Sequence, residues 1–226
     1  MVKDMLLANT GYSNIHYDKL AMLAQIAQFA TSDWNFGGWW GLVAGSYVIG
    51  MFPTAEIVGY NTGHDPTSEG SGNPGATNMY RLAGWMPGLI SLVGDVIKCI
   101  IPVVVALILA DRRVAVVCGA VAILGHIFPA ARSFKGGKGV ACYGGFALAT
   151  SPLVALGALT VWLISLKLWR RSSLAAVIAV PTLPIGVALR GREGWEVAVF
   201  VALAVIIILK HIPNIIRLVC REETQL

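Results

Sequence analysis

The chain has 226 residues, 56% of them hydrophobic and only 13% charged, with a mean hydropathy of +0.70. A soluble domain would carry about a quarter charged residues, so the composition excludes one and points to an all-α integral membrane protein, a single compact bundle. The net charge of +5 is spread between apolar segments, which argues against nucleic acid and suits loops facing anionic membrane lipid or an anionic substrate.

In chain order, residues 1–36 read as an N-terminal extension. The start turns polar too soon for the apolar core of a signal peptide. Within it, Leu20, Leu23, Ile26, Ala27 and Ala30 recur near helical spacing, which suits a short interfacial helix over Asp18–Ala30; a loosely ordered extension without function is the alternative. Residues 37–226 read as the membrane domain. Its apolar segments are Gly37–Gly59, Pro87–Ala110, Val114–Pro129, Leu174–Leu189 and Trp195–Leu209, with Gly139–Trp169 between the third and the fourth. As one helix Gly139–Trp169 would be roughly 46 Å long at about 1.5 Å per residue, too long for a hydrocarbon core of about 30 Å. Pro152 suits a helix start and disfavours helical geometry at Ser151, so the segment is expected to split there, giving about seven spans. Their parity gathers the loops 61–86, 130–138 and 167–173 and the C-terminal tail on one face. That face carries Arg81, Arg132, Lys135, Lys138, Arg170, Arg171, Lys210 and Arg217 among others. The excess of positive charge makes it the cytoplasmic face.

The loops on that face hold the candidate chemistry. "GSGNPGATNMYR", Gly70–Arg81, offers hydroxyl, amide and backbone donors at Ser71, Gly72, Asn73, Gly75, Thr77 and Asn78. Arg81 adds a guanidinium able to grip a phosphate or carboxylate; a flexible turn is the alternative. "FKGGKGVA" sets Lys135 and Lys138 around Gly136 and Gly137, with Gly139 opening a helix. Glycines let the backbone approach an anion, and the lysines and the helix dipole favour it. The spacing is not that of a nucleotide P-loop, and ordinary positive-inside lysines would give the same residues. Asp95 and Lys98, three apart inside a span, can pair on one helix face, either bracing the bundle or rimming a polar pocket. His211 and Asn214 are one turn apart, with Pro213 between them to bend the helix. His126, in "GHIFP", reads as a satisfied side chain at the membrane edge. The four cysteines show no CxxC spacing, so they suggest buried small hydrophobes, neither a disulfide framework nor a zinc site.

Taken in order, "GSGNPGATNMYR", Asp95 with Lys98, "GHIFP", "FKGGKGVA" and "HIPNIIRL" resemble the bacterial acyl-phosphate-dependent glycerol-3-phosphate acyltransferases, the PlsY family, from about Gly50 to Glu223. The resemblance implies transfer of an acyl group from acyl phosphate to the 1-hydroxyl of glycerol 3-phosphate, without cofactor or metal. It implies a multi-pass bacterial plasma-membrane protein with its site facing the cytoplasm, and an upstream acyl-phosphate-forming enzyme as a partner. By the same resemblance Ser71, Asn73, Thr77 and Asn78 line the acyl-phosphate pocket. Arg81, Lys138, His211 and Asn214 face glycerol 3-phosphate, helped by Ser173; His211 serves as general base or as an orienting hydrogen-bond partner. The chain departs from the family pattern at Met51, Thr67, Cys99, Cys142, Ala176 and Cys220. The competing class is a small membrane carrier or binding protein for a phosphorylated solute, but no internal repeat of the kind carriers often show is visible.

Overall fold

The computed structural model describes residues 38–225, so the 1–36 extension and its expected interfacial helix lie outside the described residues. Among the described residues there are helices and connections and no strand. The first span is one crossing in two pieces, α1 (Trp40–Gly50) and α2 (Thr54–Thr62). Pro53 has no N–H and pushes Phe52 out of helical geometry, which leaves the Phe52 carbonyl with a single local bond from the Thr54 amide at 3.0 Å and a lone pair open for a second partner. Lys98 fills that gap: its Nζ donates to Phe52 O at 2.9 Å and pairs with Asp95 Oδ1 at 2.8 Å. Asp95 and Lys98 therefore brace the bundle and do not rim a pocket.

A polar loop and the short α3 (Ala76–Ala83) lead to α4 (Trp85–Leu109), the longest helix. α5 (Arg112–Ile127) follows, its first turn capped by Asp111 Oδ1, which accepts from the Val114 amide at 2.9 Å. Gly50 and Gly125 let α1 and α5 touch backbone to backbone, and Gly145 does the same for α6 (Val140–Thr150) against Val96 of α4; a Cβ at any of the three would strike a main-chain carbonyl. α6 is the core helix. Its Tyr143 and Phe146 are fully buried, and Phe146 stacks on Phe200 with ring centroids 4.7 Å apart.

α7 (Pro152–Trp169) begins at the expected Ser151–Pro152 break and turns most of its apolar surface outward, burying only Ala155, Ala158 and Ser165. α8 (Ser172–Ala179) and α9 (Thr182–Leu189) make one broken span, interrupted at Pro181. α10 (Gly194–Lys210) runs back and bends by 53° at His211 into the amphipathic α11 (Ile212–Val219).

The helix ends sort into two layers. At the far end Arg112 binds Glu196 through two hydrogen bonds, of 3.0 and 2.6 Å, and the Thr150 carbonyl at 3.0 Å. That ties the start of α5, the end of α6 and the start of α10 together. The polar loops gather at the opposite end. α6 thus connects the two layers in 11 residues, about 17 Å of helix. The expected count of about seven spans is approximate: among the described residues five segments are long and apolar enough to cross, six if the bent α10–α11 pair is one span, and α6 is a shorter apolar helix. The core packing around α6 shelters it from needing full bilayer length.

Candidate active site

Three loops converge at the polar end around a cleft of about 330 Å³, lined by Ser71, Gly72, Asn73, Gly136, Lys138, Leu209, Lys210, Pro213, Asn214 and Arg217. Of the residues singled out from sequence, Ser71, Gly72, Asn73, Gly136, Lys138 and Asn214 line it directly. Lys210 and Arg217 line it too and were missed as site residues. Their signal was spacing, since 210, 214 and 217 fall near one face of a continuing helix.

The first loop is shaped by Asn78, which is 1% exposed. Its Oδ1 accepts from the Ser71 amide at 2.9 Å, and its Nδ2 donates to the carbonyls of Pro66 and Glu69, both at 3.0 Å. All three bonds are internal, so Asn78 sets the curvature that presents Ser71 to the cleft. Gly70 and Gly72 have φ of 61° and 66°, a left-handed geometry that suits glycine. At Gly70 there is also no room for a Cβ beside Asn78 Oδ1. Gly75 precedes α3, and Thr77 Oγ1 hydrogen-bonds Ser172 Oγ at 2.9 Å, tying this loop to α8.

The second loop folds back on the end of α5. Gly137 N–H donates to His126 O at 3.2 Å, and Cβ atoms at Gly136 or Gly137 would strike His126. Gly139 (φ 89°) packs on Ile127 and starts α6. Gly137 and Gly139 thus seat the loop, Gly136 reaches the cleft, and Lys135 points to solvent as an exposed side chain. His126 is buried, with Nδ1 3.8 Å from Asp95 Oδ1, the Cys142 thiol beside the ring and no hydrogen bond of ordinary geometry at Nδ1.

Lys138 is held at the mouth of α6 by a hydrogen bond from its Nζ to Asn214 Oδ1. Asn214 Nδ2 in turn donates to Glu223 Oε1 at 2.7 Å, and Arg217 Nε donates to Glu223 Oε2 at 2.8 Å. Burial lowers the Lys138 ammonium to about 8; Glu223 opposes this, and Arg217, Arg81 and Lys210 add to it. Burial pushes the Glu223 carboxyl up, but the nearby Ser173 hydroxyl, the bonds from Arg217 and Asn214 and the Arg217 charge outweigh it and hold Glu223 below its ordinary value. Ser173 Oγ is itself buried and lacks a hydrogen bond of ordinary geometry.

Arg81 stands behind the cleft, with its Nη2 donating to Thr224 O at 2.9 Å, while Arg171 Nε reaches Glu223 O at 3.3 Å. His211 is buried at the bend and its Nδ1 lies 2.8 Å from Ile207 O. A carbonyl only accepts, so Nδ1 carries the proton and Nε2 is the acceptor of the neutral ring. The site is a cationic, donor-rich cleft, and the C-terminal tail is its back wall.

An apolar groove of about 540 Å³ runs between α9 and α10, lined by Pro184, Ile185, Ala188, Val201, Ala204 and Leu209 among others. Leu209 belongs to both cavities.

The glycerol-3-phosphate acyltransferase family model matches residues 40–221. The glycerol-3-phosphate acyltransferase of Geobacter sulfurreducens is 42% identical over 186 residues, covering 81% of this chain and 94% of that protein. The one from Trichlorobacter lovleyi is 38% identical over 184 residues, covering 81% and 95%. Among solved structures, PlsY, an integral membrane glycerol 3-phosphate acyltransferase, matches in its glycerol 3-phosphate form with a TM-score of 0.79 at 33% identity, covering 82% of this chain and 94% of that one. Its lysophosphatidic acid form matches with a TM-score of 0.76. With its ordered motifs and helical frame matched along their length, this chain belongs to the glycerol-3-phosphate acyltransferase family.

Proposed function

We propose that the protein transfers an acyl group from acyl phosphate to the 1-hydroxyl of glycerol 3-phosphate, releasing lysophosphatidic acid and inorganic phosphate, the first acylation of phospholipid synthesis. One observation carries this reading: the cationic cleft and the apolar groove meet at Leu209. A substrate with a phosphate head and an acyl tail fits that junction, and a wholly soluble phosphorylated solute leaves the groove unexplained. The cleft also lies at one end of the bundle, whereas carriers place their sites near the midplane.

Both substrates bring a phosphate, and Lys138, Lys210 and Arg217 supply the opposing charge in the cleft. The Ser71–Asn73 loop offers neutral donors to the acyl phosphate. Acyl phosphate is an activated mixed anhydride, so the acceptor hydroxyl attacks its carbonyl carbon directly and inorganic phosphate leaves, with no covalent acyl-enzyme. Orientation and charge stabilisation supply the acceleration. His211 Nε2 can take the hydroxyl proton or orient the glycerol, and the departing phosphate is the other proton acceptor. Arg81 acts through the tail it holds at Thr224. No cofactor enters this chemistry. The positive-inside bias supports a site on the cytoplasmic side of a bacterial plasma membrane, in reach of soluble glycerol 3-phosphate and of an acyl-phosphate-forming enzyme.

The test is turnover by purified protein with acyl phosphate and with acyl-CoA side by side. Lysophosphatidic acid should form from acyl phosphate without coenzyme A. Equal or better rates with acyl-CoA would overturn the donor assignment, and liposome uptake of glycerol 3-phosphate without product would favour a carrier.

A further inference from the structure

Behind the glycine loop, where α4, α5 and α6 meet, Asp95, His126 and Cys142 place a carboxylate oxygen, a ring nitrogen and a thiol within 4.8 Å of one another, all buried. The His126 ring reaches this junction through Nδ1, 3.8 Å from Asp95 Oδ1, with the Cys142 thiol beside the ring and no hydrogen bond of ordinary geometry to Nδ1. The Cys142 thiol donates to the Asp95 carbonyl at 3.3 Å, and Cys99, one turn along α4 and outside that close group, interacts with the same thiol. An unpartnered imidazole nitrogen at this depth is costly unless something binds it.

We propose that His126, Cys142 and Asp95, completed by Cys99, form a binding site for a thiophilic divalent cation of the zinc or cadmium type. Thiolate, imidazole and carboxylate are the donors that select such ions over magnesium or calcium. Bonds of about 2.0–2.3 Å in a tetrahedron set donors roughly 3.4–3.8 Å apart, so small side-chain shifts close the present spacing. The charge balances as well. Lys98 already neutralises Asp95, and the two charges of the ion are met as the Cys142 and Cys99 thiols each release a proton to solvent. The net charge buried in the bundle is then unchanged. The route of access is the glycine loop: Gly136 lines the cleft, and Gly137 lies directly against the His126 ring. The cysteine spacing concealed this site because its donors come from three helices.

The experiment uses the full chain in detergent, stripped with a chelator and titrated with Cd²⁺. Thiolate-to-metal charge-transfer absorption, bound metal after gel filtration and the thermal midpoint are read together. One ion per chain, the absorption band and a raised midpoint are expected. Cys142→Thr should cut the band by about half and lose at least tenfold in affinity, and the double variant Cys142→Thr with Cys99→Ala should lose the band altogether; His126→Gln should weaken binding about tenfold while keeping the band. Cys220→Ser, at the exposed cysteine, should change neither. Absence of the band in folded wild-type protein, or its survival at full intensity in folded Cys142→Thr or at all in the folded double variant, overturns the site.

Discussion

Glu223 contributes no atom to the cleft, yet the geometry makes it decisive. Its carboxylate fixes which way the Asn214 amide faces: Nδ2 toward Glu223, and therefore Oδ1 toward Lys138. Glu223→Gln keeps the size but replaces one acceptor oxygen with an NH₂ group that meets a donor. The Asn214 bond is buried and charge-assisted, worth about 1.5–3 kcal/mol. The Arg217 side chain is 39% exposed, so its bond to Glu223 is discounted to about 0.5–1 kcal/mol. Because the glutamine keeps one acceptor, the loss is at most the larger of the two, about 1.5–3 kcal/mol, roughly tenfold to a hundredfold in kcat/KM if it falls on the arrangement that binds the transition state. The assay is steady-state acylation of glycerol 3-phosphate in detergent, after size exclusion and a thermal melt show the variant folded. A double-mutant cycle with Asn214→Ala should show strong non-additivity, because Glu223 acts through Asn214. Wild-type kcat/KM in a folded Glu223→Gln variant, or simple additivity in the cycle, would refute the reasoning.

Lys138 is cationic below about pH 8 and neutral above, so KM for the phosphate substrates should rise on the alkaline side; in any Lys138→Arg variant that retains turnover this limb should vanish from the pH profile. A wild-type profile flat through pH 9 would show that the Lys138 charge does not set binding. Gly70→Ala puts a Cβ at φ 61° against Asn78 Oδ1, a strain of about 1–3 kcal/mol, and should raise KM for acyl phosphate severalfold with little change in the thermal midpoint of the core; unchanged kinetics would disconnect this loop from substrate. Single cysteines at Ser68, Ser133 and Thr224 should label from one side of oriented membranes and one at Arg192 from the other, in a background lacking native cysteines. Labelling of Thr224 together with Arg192 would break the two-layer arrangement.

The sequence made some breaks readable and concealed others for physical reasons. Pro152 stood between two apolar runs whose combined length exceeded a bilayer, so length and proline agreed. Pro53 carries the same steric signal, but its segment was short enough for one span and nothing prompted a division. The polar loops announced the site because their runs of glycine with serine, asparagine and lysine are too polar for a lipid-facing helix. Which of their side chains face a ligand was not readable. Asn78 looks like a ligand donor in one dimension and proves to be spent on three main-chain partners. Glu223 was hidden for the opposite reason: a single carboxylate in a polar tail gives no sign that a bend at His211 brings Asn214 and Arg217 to it.

The Lys98 bond to Phe52 has a consequence for how the chain is made. Until α4 is in place, the Phe52 carbonyl at the break of the first span has only the Thr54 amide as a partner, at 3.0 Å, and lacks the charge-assisted bond from Lys98, worth about 1.5–3 kcal/mol. Asp95 and Lys98, three residues apart on one helix, can neutralise each other before any neighbour arrives. The second crossing is thus ready to leave the translocon on its own, and the first gains its Lys98 bond only after it. The first two crossings should therefore partition into lipid as a pair, the earlier one waiting in the polar shelter of the insertion machinery until the lysine behind it emerges.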